Sequence, residues 1–176
     1  GISNIVGDYN DVYTDSDGAI ADVASFGRKL DALSAWSWET AREIHSASVD
    51  PLFADPDGGD FHLRTETSQG RYQPGVGWVL DAETSLLIDA GNPTFVYTNE
   101  PSYNGRRINI GLHGNHPEAS KSRTNGWLHA ASLQQGGWVK GTSVLHWVAG
   151  GAATSHNVHV EYSPDGGVSW SRLTTG

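Results

Sequence analysis

Val49-Asp50-Pro51-Leu52-Phe53-Ala54-Asp55-Pro56-Asp57-Gly58-Gly59-Asp60-Phe61-His62-Leu63-Arg64 is the stretch whose reading decides the fold class. Each proline fixes its own φ and holds the residue before it extended. Asp50-Pro51 and Asp55-Pro56-Asp57-Gly58-Gly59 are therefore turns that bracket a short strand at Leu52-Phe53. Asp60 to Arg64 alternates, with Phe61 and Leu63 towards one side and His62 and Arg64 towards the other. The same grammar recurs further along the chain. Leu86-Leu87-Ile88 is a short, wholly apolar run closed by Asp89-Ala90-Gly91-Asn92-Pro93, which suits a strand buried on both faces. Ile108-Asn109-Ile110-Gly111-Leu112 alternates again, and residues 65–84 read as loop. Upstream, residues 1–14 read as strand and turn, and Asp15-Ser16-Asp17-Gly18 as a turn. Asp31 to about Ala41 is the best helix candidate: Asp31 is placed to cap it, and Leu33, Trp36 and Thr40 fall on one face.

Composition supports the same class. Of 176 residues, 37% are apolar and only 18% charged, with 22 Gly and 7 Pro. Gly supplies positive φ, and Asp, Asn and Ser bond their own backbone, so this mixture punctuates short strands. The chain reads as all-β. Eleven bases against 20 acids leave a net charge of −9, which repels phosphate and argues against a nucleic-acid partner. The charge is compatible with a cation such as Ca²⁺. With no cysteine there is no thiol chemistry and no disulfide framework. No run approaches the roughly 20 apolar residues of a membrane span. The chain contains no methionine and begins in mid-pattern, so both ends are read as cuts in a longer chain.

Composition shifts near Lys121, and residues 119–126 read as a linker. Beyond it, Val144 to Val148 is expected as a strand. Val158, Val160 and Tyr162 alternate with Asn157, His159 and Glu161 in another strand. Asp165-Gly166-Gly167 then turns the chain into Val168-Ser169-Trp170 as a hairpin.

These residues also carry a resemblance. Val49 to Phe53 and Gly59 to Leu63 are joined in order by Gly70-Arg71-Tyr72, Gly77-Trp78-Val79-Leu80-Asp81, Ile88 to Pro93 and Asn99-Glu100-Pro101. Asn104 to Gly111 and Glu118-Ala119-Ser120-Lys121-Ser122 complete the series. The series resembles the C-terminal segment of bacterial right-handed parallel β-helix repeat proteins, of the choice-of-anchor type in the pectate-lyase-like superfamily. It departs from them at Ser85-Leu86-Leu87, at Gly105-Arg106-Arg107 and at Ile110-Gly111-Leu112-His113. The tail resembles the start of an immunoglobulin-like or fibronectin-like sandwich.

The resemblance implies that residues 1–122 are the last coils and cap of a parallel β-helix, with the short helix as a cover. Residues 123–176 are then the opening strands of an antiparallel β-sandwich. It further implies a structural part of a secreted or cell-surface protein that acts on or binds polysaccharide. The alternatives are the end of a polysaccharide lyase or glycoside hydrolase whose active site precedes Gly1, and an adhesive or carbohydrate-binding module.

Candidate chemistry is sparse, and no catalytic residue is singled out. Asp55, Asp57 and Asp60 could ligate Ca²⁺, but an EF-hand started at Asp55 puts Asp60 where the motif needs Gly, and turns that bond only backbone are the favoured reading. His113, His116 and Glu118 lie close in sequence, yet zinc there needs more ligands than the segment shows. His156 and His159 sit on opposite faces of a strand. Among aromatics, Trp78 and Trp138 remain open as sugar-stacking residues. Arg106 and Arg107 could hold an acidic sugar, although bonds to loop carbonyls are favoured. Ser163 to Trp170 matches an Asp-box pattern, read here as a stabilised turn.

Overall fold

The computed structural model describes residues 6–16, 18–23, 27–67, 70–123, 125–130, 142, 145, 147–150 and 157–175. Among these, ten short strands pair as five two-stranded antiparallel sheets beside one helix. β1 (Ala21–Val23) pairs with β2 (Arg28–Leu30), which α1 (Leu33–Thr40) follows. β3 (Phe53–Asp55) pairs with β4 (Asp60–Leu63), and β5 (Arg71–Gln73) with β6 (Gly77–Val79). β7 (Trp127–Ala130) pairs with β8 (Trp147–Gly150), and β9 (His159–Tyr162) with β10 (Ser171–Thr175). The all-β expectation holds at this level.

The expected stack of parallel strands over 52–64 and 86–112 does not hold. β3 and β4 close on each other, Phe53 opposite Leu63 and Asp55 opposite Asp60. The Pro56–Gly59 turn explains this. Asp55 Oδ1 accepts the Gly58 amide at 3.0 Å, Gly59 N–H donates to Pro56 O at 3.2 Å, and Gly59 sits at φ +83°. Closing so short a loop costs little chain entropy, so the local pairing wins over a distant one. Residues 86–112 form turns instead of strands. Asp89 (φ 60°), Tyr103 (72°), Gly105 (58°), Arg106 (62°) and Gly111 (126°) interrupt every extended run with left-handed backbone. The described residues show one parallel pairing, Asp11 with Ala47, and no solenoid of stacked coils.

The core is small: Ala47, Leu63, Leu87 and Ile88, with Val49, Phe53 and Ile110 packed against it. Phe53, Leu63, Ile88 and Ile110, from the apolar and alternating runs of the sequence, belong here. Phe61 does not: it is 37% exposed, edge-on to the Phe53 ring at 5.3 Å. His62, expected on the outer side of β4, is instead 3% exposed, because its ring is stacked under His113. Alternation states which residues share a face; it does not state that only one face is covered.

The helix is shorter than its sequence signals. Ala32, not Asp31, occupies the N-cap position, and no side chain caps it. At the other end Ala41 turns left-handed and its N–H bonds Ser37 O. Leu33 is the buried residue of α1, next to buried Leu30 of β2, while Trp36 is half-buried and Trp38 is 63% exposed. Thus α1 caps its neighbouring hairpin (Arg28 pairs with Glu39) and does not cover the core through Trp36.

The tail hairpin forms, but its second strand is Ser171–Thr175 and not the expected Val168-Ser169-Trp170, which stays in the turn. Asp165 Oδ1 accepts from Ser169 N and Ser163 Oγ, and its Oδ2 accepts from Ser169 Oγ at 2.6 Å. Gly166 and Gly167 take positive φ at the turn. Trp147 and Trp170 are 45% and 61% exposed, so neither is enclosed in a core.

Candidate functional site

The described residues bring three metal-competent side chains together at one place, where the 113–118 loop lies over the end of β4. Asp60 opens β4, and its Oδ1 accepts both the His62 backbone amide at 3.0 Å and the His62 ring nitrogen Nδ1 at 2.6 Å. An ionised carboxylate can only accept, so Nδ1 carries the proton. Burial pushes the Asp60 carboxyl up, but the His62 amide, the His62 ring and the Arg71 guanidinium outweigh it and hold it below the usual carboxylate range. Arg71 stands 3.6 Å from Asp60 and makes paired bonds to Asp81 at 2.9–3.1 Å, which keeps Asp81 low as well against its own burial.

With Nδ1 committed, His62 Nε2 is buried and has no hydrogen-bond partner. It faces Glu118 Oε2 at 3.7 Å, and the His113 ring stacks on the His62 ring at 3.6 Å and 14°. The ligand atoms of His62, His113 and Glu118 all lie within 4.8 Å of one another. Burial and then the neighbouring rings of His62 and His116 push the His113 imidazole below its ordinary value.

Tertiary hydrogen bonds hold the covering loop. Glu100 Oε1 accepts the amides of Asn109 and Asn115, both at 2.9 Å. Beyond the loop, Ser120 Oγ donates to Leu63 O, Thr65 Oγ1 to Lys121 O, and Lys121 N to Gly70 O. These bonds strap residues 120–121 across β4 and β5 and bring Glu118 under His62.

A second polar cluster is wholly interior. Asp89 is 2% exposed and Glu100 5%, and each keeps one oxygen without a partner. Burial raises Asp89 to about 7, against a Ser122 hydroxyl that lowers it, and burial raises Glu100 as well. A raised carboxylic acid is a general-acid signature when substrate can reach it. Here the partners are the loops themselves. Ser122 Oγ donates to Asp89 Oδ1, Asp89 N donates to Asn109 Oδ1, and Asn109 Nδ2 donates to Ser120 O, each at 2.8 Å. Two glycines make this cluster fit. A Cβ at Gly91 would lie 2.5 Å from Ile108 Cγ2, and one at Gly105 would lie 2.2 Å from Asp89 Oδ2.

The residues singled out from sequence fare differently. Asp55 is occupied with its own turn, Asp60 turns towards His62 and Arg71, and the Asp55, Asp57, Asp60 set does not converge as a three-ligand group among the described residues. Trp78 is half-buried, edge-on to Tyr72, with Lys121 Nζ 3.9 Å from its ring centroid, so one face is already taken. Arg106 is exposed, and its amide bonds Asn104. Arg107 reaches the loop carbonyls of Ala90 and Gly91, as favoured. Trp138 and His156 lie outside the described residues. His116 stays at the margin, 3.9 Å from Glu118. The missed member is His62; its sole signal was the Asp-x-His spacing from Asp60. No family model, curated protein or solved structure matches the chain.

Proposed function

We propose that the chain is a structural segment of a secreted or surface-attached protein of the right-handed parallel β-helix type, one that binds or acts on polysaccharide. In this reading residues 1–122 supply the closing coils and cap, and residues 123–176 open an immunoglobulin-like sandwich. The observation that carries it is the parallel bridge between Asp11 and Ala47. Ala47 N–H donates to Asn10 O at 2.8 Å, Ala47 O accepts from Val12 N–H at 2.9 Å, and Ala47 is itself a core residue. Two segments stacked in parallel, with the β1–β2 hairpin and α1 as an excursion between them, is the pairing a coil requires. The use of Asp89 and Glu100 as interior struts supports a structural role. Exposed Trp38, Trp147 and Trp170 favour sugar binding as a second reading, because open aromatic faces stack on sugar rings.

Amide exchange tests the coil reading. Val12 and Ala47 should exchange as slowly as the β4 amides; exchange at the rate of the loops would overturn it. Incubation with polygalacturonate, alginate and xylan tests the structural role. No new reducing ends are expected, and cleavage lost on a point change within the chain would defeat it.

A further inference from the structure

We propose that His62, His113 and Glu118 form a binding site for one divalent transition-metal ion of the zinc class, oriented by Asp60. The proposal stands independently of the β-helix reading.

Three observations carry it. The first is the tautomer. Asp60 accepts from His62 Nδ1 at 2.6 Å, and Nε2, on a residue 3% exposed, is buried without a hydrogen-bond partner. A buried polar nitrogen without a partner is costly. A carboxylate–histidine pair with the far nitrogen free is the arrangement by which proteins orient a metal-binding imidazole. The second is convergence. The donor atoms of His62, His113 and Glu118 lie within 4.8 Å of each other. Donors around a tetrahedral zinc, with bonds of about 2.0–2.2 Å, sit about 3.4 Å apart, so binding requires the half-buried His113 ring to turn out of its stack on His62 as the donors close in. The third is charge. Asp60 and Glu118 flank His62 on its two sides, and the Arg71 guanidinium nearest Asp60 is already paired with Asp81. Bringing a cation here therefore offsets an excess of negative charge.

The donor set is two imidazoles and one carboxylate. That chemistry suits zinc, and it disfavours calcium, which takes six to eight oxygens. Glu118 and His113 are half-buried, so the fourth position opens to water. Bound metal would tie the 113–118 loop to β4, and binding to the folded chain alone raises its stability.

The test is a zinc titration of the whole chain after chelator treatment, followed by calorimetry and by competition with a chromophoric chelator. One equivalent should bind, the melting temperature should rise with zinc, and calcium should produce neither effect. His62→Ala removes a buried ring and risks unfolding the chain, so the deciding variants are the half-exposed His113→Ala and Glu118→Gln. Each should melt normally without metal and lose about 10–100-fold or more in zinc affinity, while Asp60→Asn should lose about 10–100-fold through the orientation of His62. In long-range nitrogen–proton spectra, the His62 Nε2 signal should shift on zinc addition. No saturable binding, or unchanged affinity in both His113→Ala and Glu118→Gln, overturns the site.

Discussion

The loop body of residues 84–122 and the hairpin of β9 and β10 invert the usual relation between regular structure and burial. The first has no strand among its described residues. Yet Leu87 is 2% exposed, Ala119 0% and Asn109 5%. The second is a regular hairpin with a well-bonded turn, yet Tyr162 is 53% exposed, Trp170 61%, Leu173 62% and Val168 86%. The loop body is held by side chains bonding distant backbone, the hairpin by a turn bonding itself. Tertiary closure, not strand content, marks where stability resides, and a two-stranded hairpin alone is marginal in water.

Four substitutions can break or sharpen that contrast. Leu87→Ala empties the centre of the core and should cost about 2–5 kcal/mol by denaturant unfolding. A loss under about 1 kcal/mol would show that the loop body is not the stable part.

Asp89 gives the next effect. Its folded value is raised to about 7 from 3.8, so the neutral carboxyl is the form the fold favours. That stability is fully present below the unfolded value and is lost as pH rises from about 4 through about 7, by about 4 kcal/mol at most. Asp89→Asn retains the shape and tolerates the left-handed backbone at φ 60°. It should flatten the decline and leave a smaller slope from Asp11, raised to about 6 by burial, and from Glu100, raised likewise. An unchanged slope would remove Asp89 from the account.

Gly91→Ala places a methyl 2.5 Å from Ile108 Cγ2 and 2.8 Å from Ile108 O, at a site without positive φ, and should cost about 1–3 kcal/mol through overpacking. A neutral result in the same unfolding measurement would mean that the two loops slide apart freely.

Asp165→Ala should leave the global unfolding midpoint in place and speed amide exchange in β9 and β10. The sign here opposes that of Asp89. Bonds from Ser169 and Ser163 hold Asp165 down at about 2, so its contribution is present above the ordinary carboxylate value and is lost as pH falls through about 2. A shift in the global midpoint would join the hairpin to the loop body and dissolve the comparison.

What the sequence disclosed follows the same division. Asp165-Gly166-Gly167 and the alternation around Val160 announce a hairpin because every interaction that makes it is local. Leu63 and Ile88 are legible as core from their apolar settings. The turns of 86–112 were masked because Leu86-Leu87-Ile88 and Ile108 to Leu112 carry strand-like patterns, while the left-handed backbone at Asp89, Tyr103 and Arg106 falls on residues that do not advertise it. Asp89 is the instructive case: its side chain bonds Ser122, far along the chain, and no spacing rule announces that pair. The His62 site was half legible, His113 and Glu118 being near neighbours. Its buried member comes from a distant hairpin, and only folding makes the two adjacent.

The strap over residues 120–122 has a consequence for the order of events in folding. Its bonds to β4 and the segment after it join residues 55 to 57 positions apart, whereas the β3–β4 and β5–β6 pairings close over a few residues. Long closures spend chain entropy before their contacts form, and so they form late. The hairpins then assemble early and independently, and the strap acts as the final latch. Glu118 and His113 reach His62 only as that latch closes. A chain ending before Ala119 would keep its hairpins and lose the event that joins them.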